Sequence, residues 1–477
     1  MKRIILYITL SFVMLHAENL MAQSFKHPGL LQTEAAFKRM QTKVKANAQP
    51  WLAGWNKLTS NVHASLNWVP NAPDTIYRGS DGVHQDNNYI LFNDVAAAYA
   101  TAIRWKVSGD EAYAKKSIEI MNAWSSKLKY IAGGDRVLAA GLSGYEFANA
   151  AEIMRTYSGW KSADFERFKN MMLTVFYPIN HDFLTRHERC ITHFYANWDL
   201  CTMASIMAIG VLCDKREYYN EAVQYFKSGP GNGAIANAVY YIHPDGLGQW
   251  QEAGRDQGHT VLGIALMGAF CEMAWNQGDD LYGYDDNRFL KGAEYVAKYN
   301  LGEDVPYITY NNCLNVNQTV IGSGSRGNVR PAWELVYNHY VQRKGLKAPY
   351  SQKFAEKVRP EGGGGNYGPN SGGYDQLGYG TLLYTQDSLE AASAREADGG
   401  AVVSPNPVKD QLTVTFSNGL ESGAHIDFYN DIGQIIFSAE TSGTSYTNSN
   451  LSFLARGTYY LRIFNKKKVV VKRIVKK

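Results

Sequence analysis

Residues 93–128 read NDVAAAYATAIRWKVSGDEAYAKKSIEIMNAWSSKL, and this stretch decides the fold. Residues 93–107 place apolar side chains at helical spacing and run into Ser108-Gly109, a helix stop. Asp110 then caps a second amphipathic helix over 111–128. The same alternation continues: 142–157 precedes 163–180, 198–213 precedes 217–227, 260–276 precedes 286–299, and 331–342 precedes a short helix at 351–357. A helix over 33–48, capped by Thr33 with Glu34 in its first turn, comes before them. Strand-like alternation is almost absent between 93 and 357. Consecutive helical hairpins of this kind predict a mainly α architecture, an (α/α) toroid whose inner helices and loops converge on a central cleft. The segment AYATAIRWKVSGDEAYAKKS has the flavour of a tetratricopeptide hairpin but occurs once, which argues against a peptide-binding solenoid.

The ends of the chain carry different signals. Lys2 and Arg3, an apolar run at 4–15 and the small-residue exit Met21-Ala22-Gln23 predict a secretory signal peptide over 1–22. No other stretch approaches membrane-spanning length, so no stable membrane insertion is expected. Residues 23–385 form the toroid, 386–400 (QDSLEAASAREADGG) read as a linker, and 401–477 carry period-two stretches punctuated by Gly, Asn and Asp, as in a small all-β sandwich. The formal charge is +4, yet 401–477 alone hold ten basic and five acidic residues, which leaves −1 for everything before them. A near-neutral toroid argues against nucleic acid as a partner. The 32 tyrosines and 10 tryptophans favour sugar-stacking surfaces in an exported protein. Five cysteines, at 190, 201, 213, 271 and 313, follow no metal spacing; those at 201, 213 and 271 read as small core residues, and no disulfide is assigned.

Three polar clusters can meet in the cleft. The first, DGLGQWQEAGRDQGHT at 245–260, sets Gln249, Gln251, Glu252, Arg255, Asp256, Gln257 and His259 at the mouth of an apolar helix. Arg255 can fork onto a carboxylate and His259 can exchange a proton near neutral pH. The second is HFYANWD at 193–199, where His193 and Asn197 sit at a helix start that favours anions; Asn197 has the alternative of a plain N-cap. The third is the non-helical run at 307–330, with Tyr310, Asn311, Asn312, Arg326 and Arg330. The irregular stretch 67–88, with Tyr77, Arg78, His84 and Gln85, offers a further wall.

Cleaving a uronate polymer by β-elimination needs a group that neutralises the carboxylate, a base for the C5 proton and an acid for the leaving oxygen. Asn197 with Arg255, His259, and a tyrosine such as Tyr310 can fill those roles without a metal or cofactor. His193, Gln249, Gln251, Gln257, Arg326 and Tyr241 are candidates for binding the sugar. Hydrolysis would instead need two carboxyl groups, about 6.5–9.5 Å or about 5–5.5 Å apart, which Asp199, Glu252 and Asp256 could supply. A non-catalytic glycan-binding protein is the third reading.

NWDLCTMASIMAIGVLCD, GQWQEAGRDQGHTVLGIAL, AWNQGDDLYG and RPEGGGGNYGPNSGGYDQLGYGTL resemble the alginate lyase superfamily of helical toroids, closest to polysaccharide lyase family thirty-eight, over roughly residues 30–385. The resemblance implies metal-independent β-elimination on an acidic polysaccharide, alginate with its mannuronate or a glucuronan. It places Asn197 and Arg255 around the substrate carboxylate and His259 at a catalytic histidine. Thr260 stands where the superfamily often has its catalytic tyrosine, so that group comes from elsewhere: Tyr310 first, with Tyr241, Tyr307 and Tyr337 as rivals. Ser404-Pro405-Asn406-Pro407, Gly433, Gly457-Thr458-Tyr459-Tyr460 and the basic end resemble the carboxy-terminal sorting domain of the Bacteroidota type IX secretion system. That implies passage through the periplasm and outer membrane, then release or attachment at the cell surface, with the secretion machinery as partner.

Overall fold

The computed structural model describes residues 24–187, 190–363, 375–387, 401–416, 420, 423–430, 435–465 and 469–477. The expected leader, nearly all of the expected linker, residues 364–374 of the glycine-rich run and Gly433 lie outside the described residues. The chain divides into two compact units between Thr385 and Gln386.

In the first unit, the helices Arg136–Met154, Ala196–Leu212 and Gln257–Gln277 are buried along nearly their whole length. A helix apolar on every side has to be surrounded by protein. These three pack side by side, with Asn88–Ser108 beside the first of them, as an inner layer. Glu111–Lys127, Arg216–Ser228 and Tyr284–Asn300 each bury one face. They pack outside Asn88–Ser108, Ala196–Leu212 and Gln257–Gln277 respectively. This inner and outer alternation is the expected (α/α) toroid.

Local chemistry explains the helix ends. Thr33 and Asp110 accept the N–H groups of Ala36 and Ala112, as their positions in sequence imply. Gly109 closes Asn88–Ser108 in the left-handed region, at φ 77°. Gly144 lets two inner helices approach closely, since a Cβ there would lie 2.1 Å from the Ser205 hydroxyl. The expected helix over 163–180 is a longer element, Ser162–Met171 and Tyr177–Arg186 joined by a π turn at Met172–Phe176. Pro178, which has no N–H to give, follows that turn directly.

Among the described residues of the first unit, three small strand pairs accompany the helices. Thr75–Tyr77 lies parallel to Tyr130–Ala132, Val239–Ile242 antiparallel to Gly248–Trp250, and Tyr310–Asn311 antiparallel to Asn317–Gln318. Segments of two to four residues are too short for a period of two to register in sequence. A correction concerns the cysteines. Cys190 and Cys313 form a disulfide across 123 residues, while Cys201, Cys213 and Cys271 are free and buried. Spacing along the chain says nothing about two loops that only the fold brings together.

The second unit has two antiparallel sheets. One runs Ile435–Thr441, Ala424–Tyr429, Gly457–Phe464, Val469–Lys476; the other runs Ser445–Asn448, Leu412–Phe416, Ala401–Ser404. Their inward residues, among them Val414, Ile426, Phe428, Leu461 and Ile463, make a separate core.

A buried acidic pair anchors the last helices of the toroid. Glu361 Oε1 accepts the N–H groups of Trp333 and Glu334 at 2.8 and 3.0 Å. The Glu334 carboxylate receives Arg359 at 2.6 and 2.8 Å. Burial, and then the charge of Glu334, pushes the Glu361 carboxyl up to about 8. Between the ordinary carboxyl range, about 4.3, and that value the folded chain holds a proton that the unfolded chain has released. Stability from this group is therefore full below the ordinary range and lost as pH rises towards about 8. Urea midpoints measured at about pH 5 and about pH 8 are expected to fall less for Glu361→Gln than for the wild type, because the amide keeps the acceptor and cannot ionise.

Candidate active site

Two helix N-termini are held by neighbouring carboxylates, Glu252 and Asp256. The Ala196–Leu212 helix starts after Tyr195 and leaves its first N–H groups without intrahelical partners. The short helical turn Gln251–Gly254 supplies acceptors from across the fold. Gln251 Oε1 takes the Ala196 N–H at 3.0 Å, and Glu252 Oε2 takes that of Asn197 at 3.2 Å. The Asn197 side-chain amide donates to Glu252 Oε1 at 2.6 Å, and Arg255 Nη1 donates to the same oxygen at 3.0 Å. Burial drives the Glu252 carboxyl above its ordinary range, opposed by Arg255, His259 and Asn197.

The second helix, Gln257–Gln277, is capped from within the same stretch. Asp256 Oδ1 accepts the His259 N–H at 2.9 Å and its Oδ2 lies 2.7 Å from His259 Nδ1. Burial works against ionisation of Asp256, but the hydrogen bonds and charge of His259, with Arg255, hold its carboxyl below the ordinary range. An ionised carboxylate can only accept, so Nδ1 carries the proton and Nε2 keeps a lone pair. Arg255 Nη2 donates to that Nε2 at 3.2 Å. Asn197, Glu252, Arg255, His259 and Asp256 are thus one continuous network. Arg255 also lies over the Tyr195 ring, 4.2 Å from its centroid. The guanidinium uses one N–H for Glu252 and one for His259, and retains donors for a ligand.

The other side of the cluster is built by Asn232. Its amide donates to the carbonyls of Thr192 and Phe194 at 3.2 and 2.7 Å, and its Oδ1 accepts the Tyr310 hydroxyl at 2.8 Å. Burial raises the Tyr310 phenol above its ordinary range, with Tyr195 and Asp199 adding to the effect. The Cys190–Cys313 disulfide joins the same two loops, and Cys313 N–H bonds Thr192 Oγ1 at 2.9 Å. His193, in the first of these loops, is half-buried with its ring edge-on to Phe194.

Other sequence candidates are committed elsewhere. Gln249 is fully buried and bonds His243, the Tyr240 hydroxyl and both polar backbone atoms of Ile308. Gln257 bonds Ala253, Gly322 and Asn300, and Arg326 holds the carbonyls of Tyr299 and Glu303. Tyr241 is exposed on the Val239–Ile242 strand, edge-on to His243. The Tyr307 hydroxyl bonds the Gln318 carbonyl, and that of Tyr337 accepts from Gln342. Asp199 is enclosed by His187 at 2.8 Å, Tyr225 at 3.2 Å and the Gly233 N–H at 2.9 Å. All three carboxylates considered for hydrolysis are therefore tied to neighbouring donors. In the 67–88 stretch, the charge of Arg78 works against the burial that raises the Glu146 carboxyl, and His84 stacks on Tyr77 at 4.1 Å. Sequence reasoning passed over Tyr195, Asn232 and the capping role of Glu252. Tyr195 lies within HFYANWD and Glu252 within GQWQEAG, which was the available signal for those two; Asn232 stands apart from both motifs in the chain and had none.

Residues 41–305, more than half of the chain, match the family described as alginate lyase, and residues 402–477 match the secretion system C-terminal sorting domain. No curated relative matches the chain. Among solved structures it is similar to alginate lyase A1-III from Sphingomonas species A1, with TM-score 0.52, 13% identity, and 75% of this chain and 98% of that one covered. It is also similar to an alginate lyase from Bacteroides ovatus, with TM-score 0.51, 14% identity, and coverage of 76% and 100%. A histidine-to-alanine variant of the Sphingomonas enzyme, complexed with a tetrasaccharide, gives TM-score 0.52 at 13% identity, covering 75% of this chain and 97% of that one. At such identities the likeness is one of fold.

Removing the Asn197 amide leaves Glu252 short of a donor inside the protein, a loss of about 1–3 kcal/mol. Asn197→Ala is expected to lower the unfolding free energy by that amount. A double-mutant cycle with Glu252→Gln should return a coupling of about 0.5–3 kcal/mol, whereas simple additivity would show that the contact does not hold the helix start.

Proposed function

The chain belongs to the alginate lyase family and is a polysaccharide lyase, and from that premise we propose that its site cleaves a uronate polymer, alginate or a glucuronan, by metal-independent β-elimination. The observation that carries this reading is the Asn197–Glu252–Arg255–His259–Asp256 network at two helix N-termini. The guanidinium of Arg255, with donors to spare, favours an anion at this point. A uronate carboxylate placed there is neutralised, which acidifies the proton on the adjacent C5.

His259 then serves as the base. Its Nδ1 is held by Asp256, so the lone pair on Nε2 faces Arg255. When Arg255 turns to the substrate carboxylate, that lone pair becomes available beside C5, and binding and base release are coupled. The C5–H pair forms the C4=C5 bond, the C4–O4 bond breaks, and a tyrosine protonates O4. The product carries a 4,5-unsaturated sugar at the new non-reducing end. Of the six sugar-binding candidates, Gln251 orients the backbone of Ala196 and His193 is half-buried, which leaves His193 as the candidate nearest this network with a side chain open to the polymer. The sorting domain marks the chain for type IX export, to the cell surface or the medium. Among the described residues no helix is long and apolar enough to cross a membrane.

Incubation with alginate, glucuronan, hyaluronan and pectate is expected to raise the ultraviolet absorbance of the unsaturated product for at least one of the first two. New reducing ends without that absorbance would point to hydrolysis instead. His259→Gln should lower turnover by about 10²–10⁴-fold with helical content retained.

A further inference from the structure

The tyrosine of this reaction is open, because Thr260 stands where the resemblance places one. Tyr310, the first choice from sequence, donates its hydroxyl to Asn232 and is 9% exposed. Its proton is already engaged in holding the loop behind the site. Thr260 is fully buried and donates to the Asp256 carbonyl at 2.6 Å. Tyr225 donates to Asp199, Tyr240 and Tyr307 to backbone carbonyls.

Tyr195 differs from all of these. Its hydroxyl has no hydrogen-bond partner among the described residues, and the side chain is half-buried. The ring lies beneath Arg255, 4.2 Å from centroid to guanidinium carbon. Its backbone caps the helix that begins Ala196-Asn197, so its place is fixed by the same contacts that fix Asn197. It also stands near enough to Tyr310 to act on that phenol.

Connectivity within the substrate narrows the choice further. The carboxylate carbon is bonded to C5, C5 to C4, and C4 to the leaving oxygen. With the carboxylate on Arg255, both the base and the acid must lie within a few bond lengths of the guanidinium. His259 satisfies this on one side, with Nε2 at 3.2 Å from Arg255 Nη2, and Tyr195 satisfies it on the ring side. We propose that Tyr195 is the catalytic acid that protonates the leaving O4, while Tyr310 positions the Asn232 loop. This rests on the β-elimination reading above. In the step, His259 Nε2 takes the C5 proton, the C4–O4 bond breaks with its electron pair on oxygen, and O4 takes the Tyr195 phenolic proton. Water then returns a proton to the phenolate as His259 releases its own, so the cycle closes without any other reactant.

The test compares wild type, Tyr195→Phe and Tyr310→Phe on the polymer and on a uronoside bearing 4-nitrophenolate as the C4 leaving group. A leaving group that needs no proton removes the demand for an acid but keeps the demand for the carboxylate clamp and the base. Tyr195→Phe is expected to lose about 10²–10⁴-fold in kcat on the polymer, with KM little changed, and to approach wild-type rates on the activated substrate. That second rate also reports that the variant is folded. Tyr310→Phe is expected to lose activity on both substrates in the same proportion, as a positioning residue would. Polymer cleavage by Tyr195→Phe within about threefold of wild type, or an equal loss on both substrates, would overturn the proposal. If wild type yields no unsaturated product from any uronate polymer, the elimination reading itself fails, and the assignment of the acid falls with it.

Discussion

The Glu252 carboxylate is the constraint on which the site depends. It is fully buried, and a buried charge is tolerated only when donors surround it. Its donors are the backbone and side chain of Asn197 and the guanidinium of Arg255. One group therefore ends a helix, aims an amide and anchors an arginine. The orientation of Arg255 in turn sets the faces presented to His259 and Tyr195. Because Asp256 caps the next helix and fixes the His259 tautomer, two of the toroid's inner helices have their starts held by one stretch of chain, residues 251–256.

A second latch acts on the opposite wall. Asn232, the Cys190–Cys313 bond and the Thr192 contact tie the loop before Ala196–Leu212 to the Tyr310 hairpin. Both loops lack regular structure of any length, so their geometry comes from these cross-links instead of from helical propagation. The polar density that made 245–260 look like a ligand surface is thereby divided. Gln249, Gln257 and Glu252 point inward and build the scaffold, while Arg255, Asp256 and His259 keep partial exposure.

Much of this was legible beforehand. The inner helices announced themselves by unbroken apolar runs, and Asp110, Gly109 and Thr33 marked ends that the fold respects. Arg255, His259 and Asn197 were singled out by residue type and do come together. The disulfide, the small strand pairs and the role of Asn232 were not legible, because each joins segments far apart in the chain. Tyr195 was overlooked for a related reason: a tyrosine beside a more conspicuous histidine and asparagine has no mark of its own until its hydroxyl is seen to lack a partner among the described residues.

By itself the sequence determined that this chain is a helical toroid followed by a β unit, since periodicity and caps are local properties that act over one or two turns. It also determined the chemical kit, since residue types are fixed before folding. Only the tertiary structure decided which members of that kit remain available. On paper any of the glutamines, carboxylates and phenols could face a ligand. Burial and hydrogen bonding commit Gln249, Glu252 and Tyr310 to the scaffold, and they leave His259 and Tyr195 each beside Arg255.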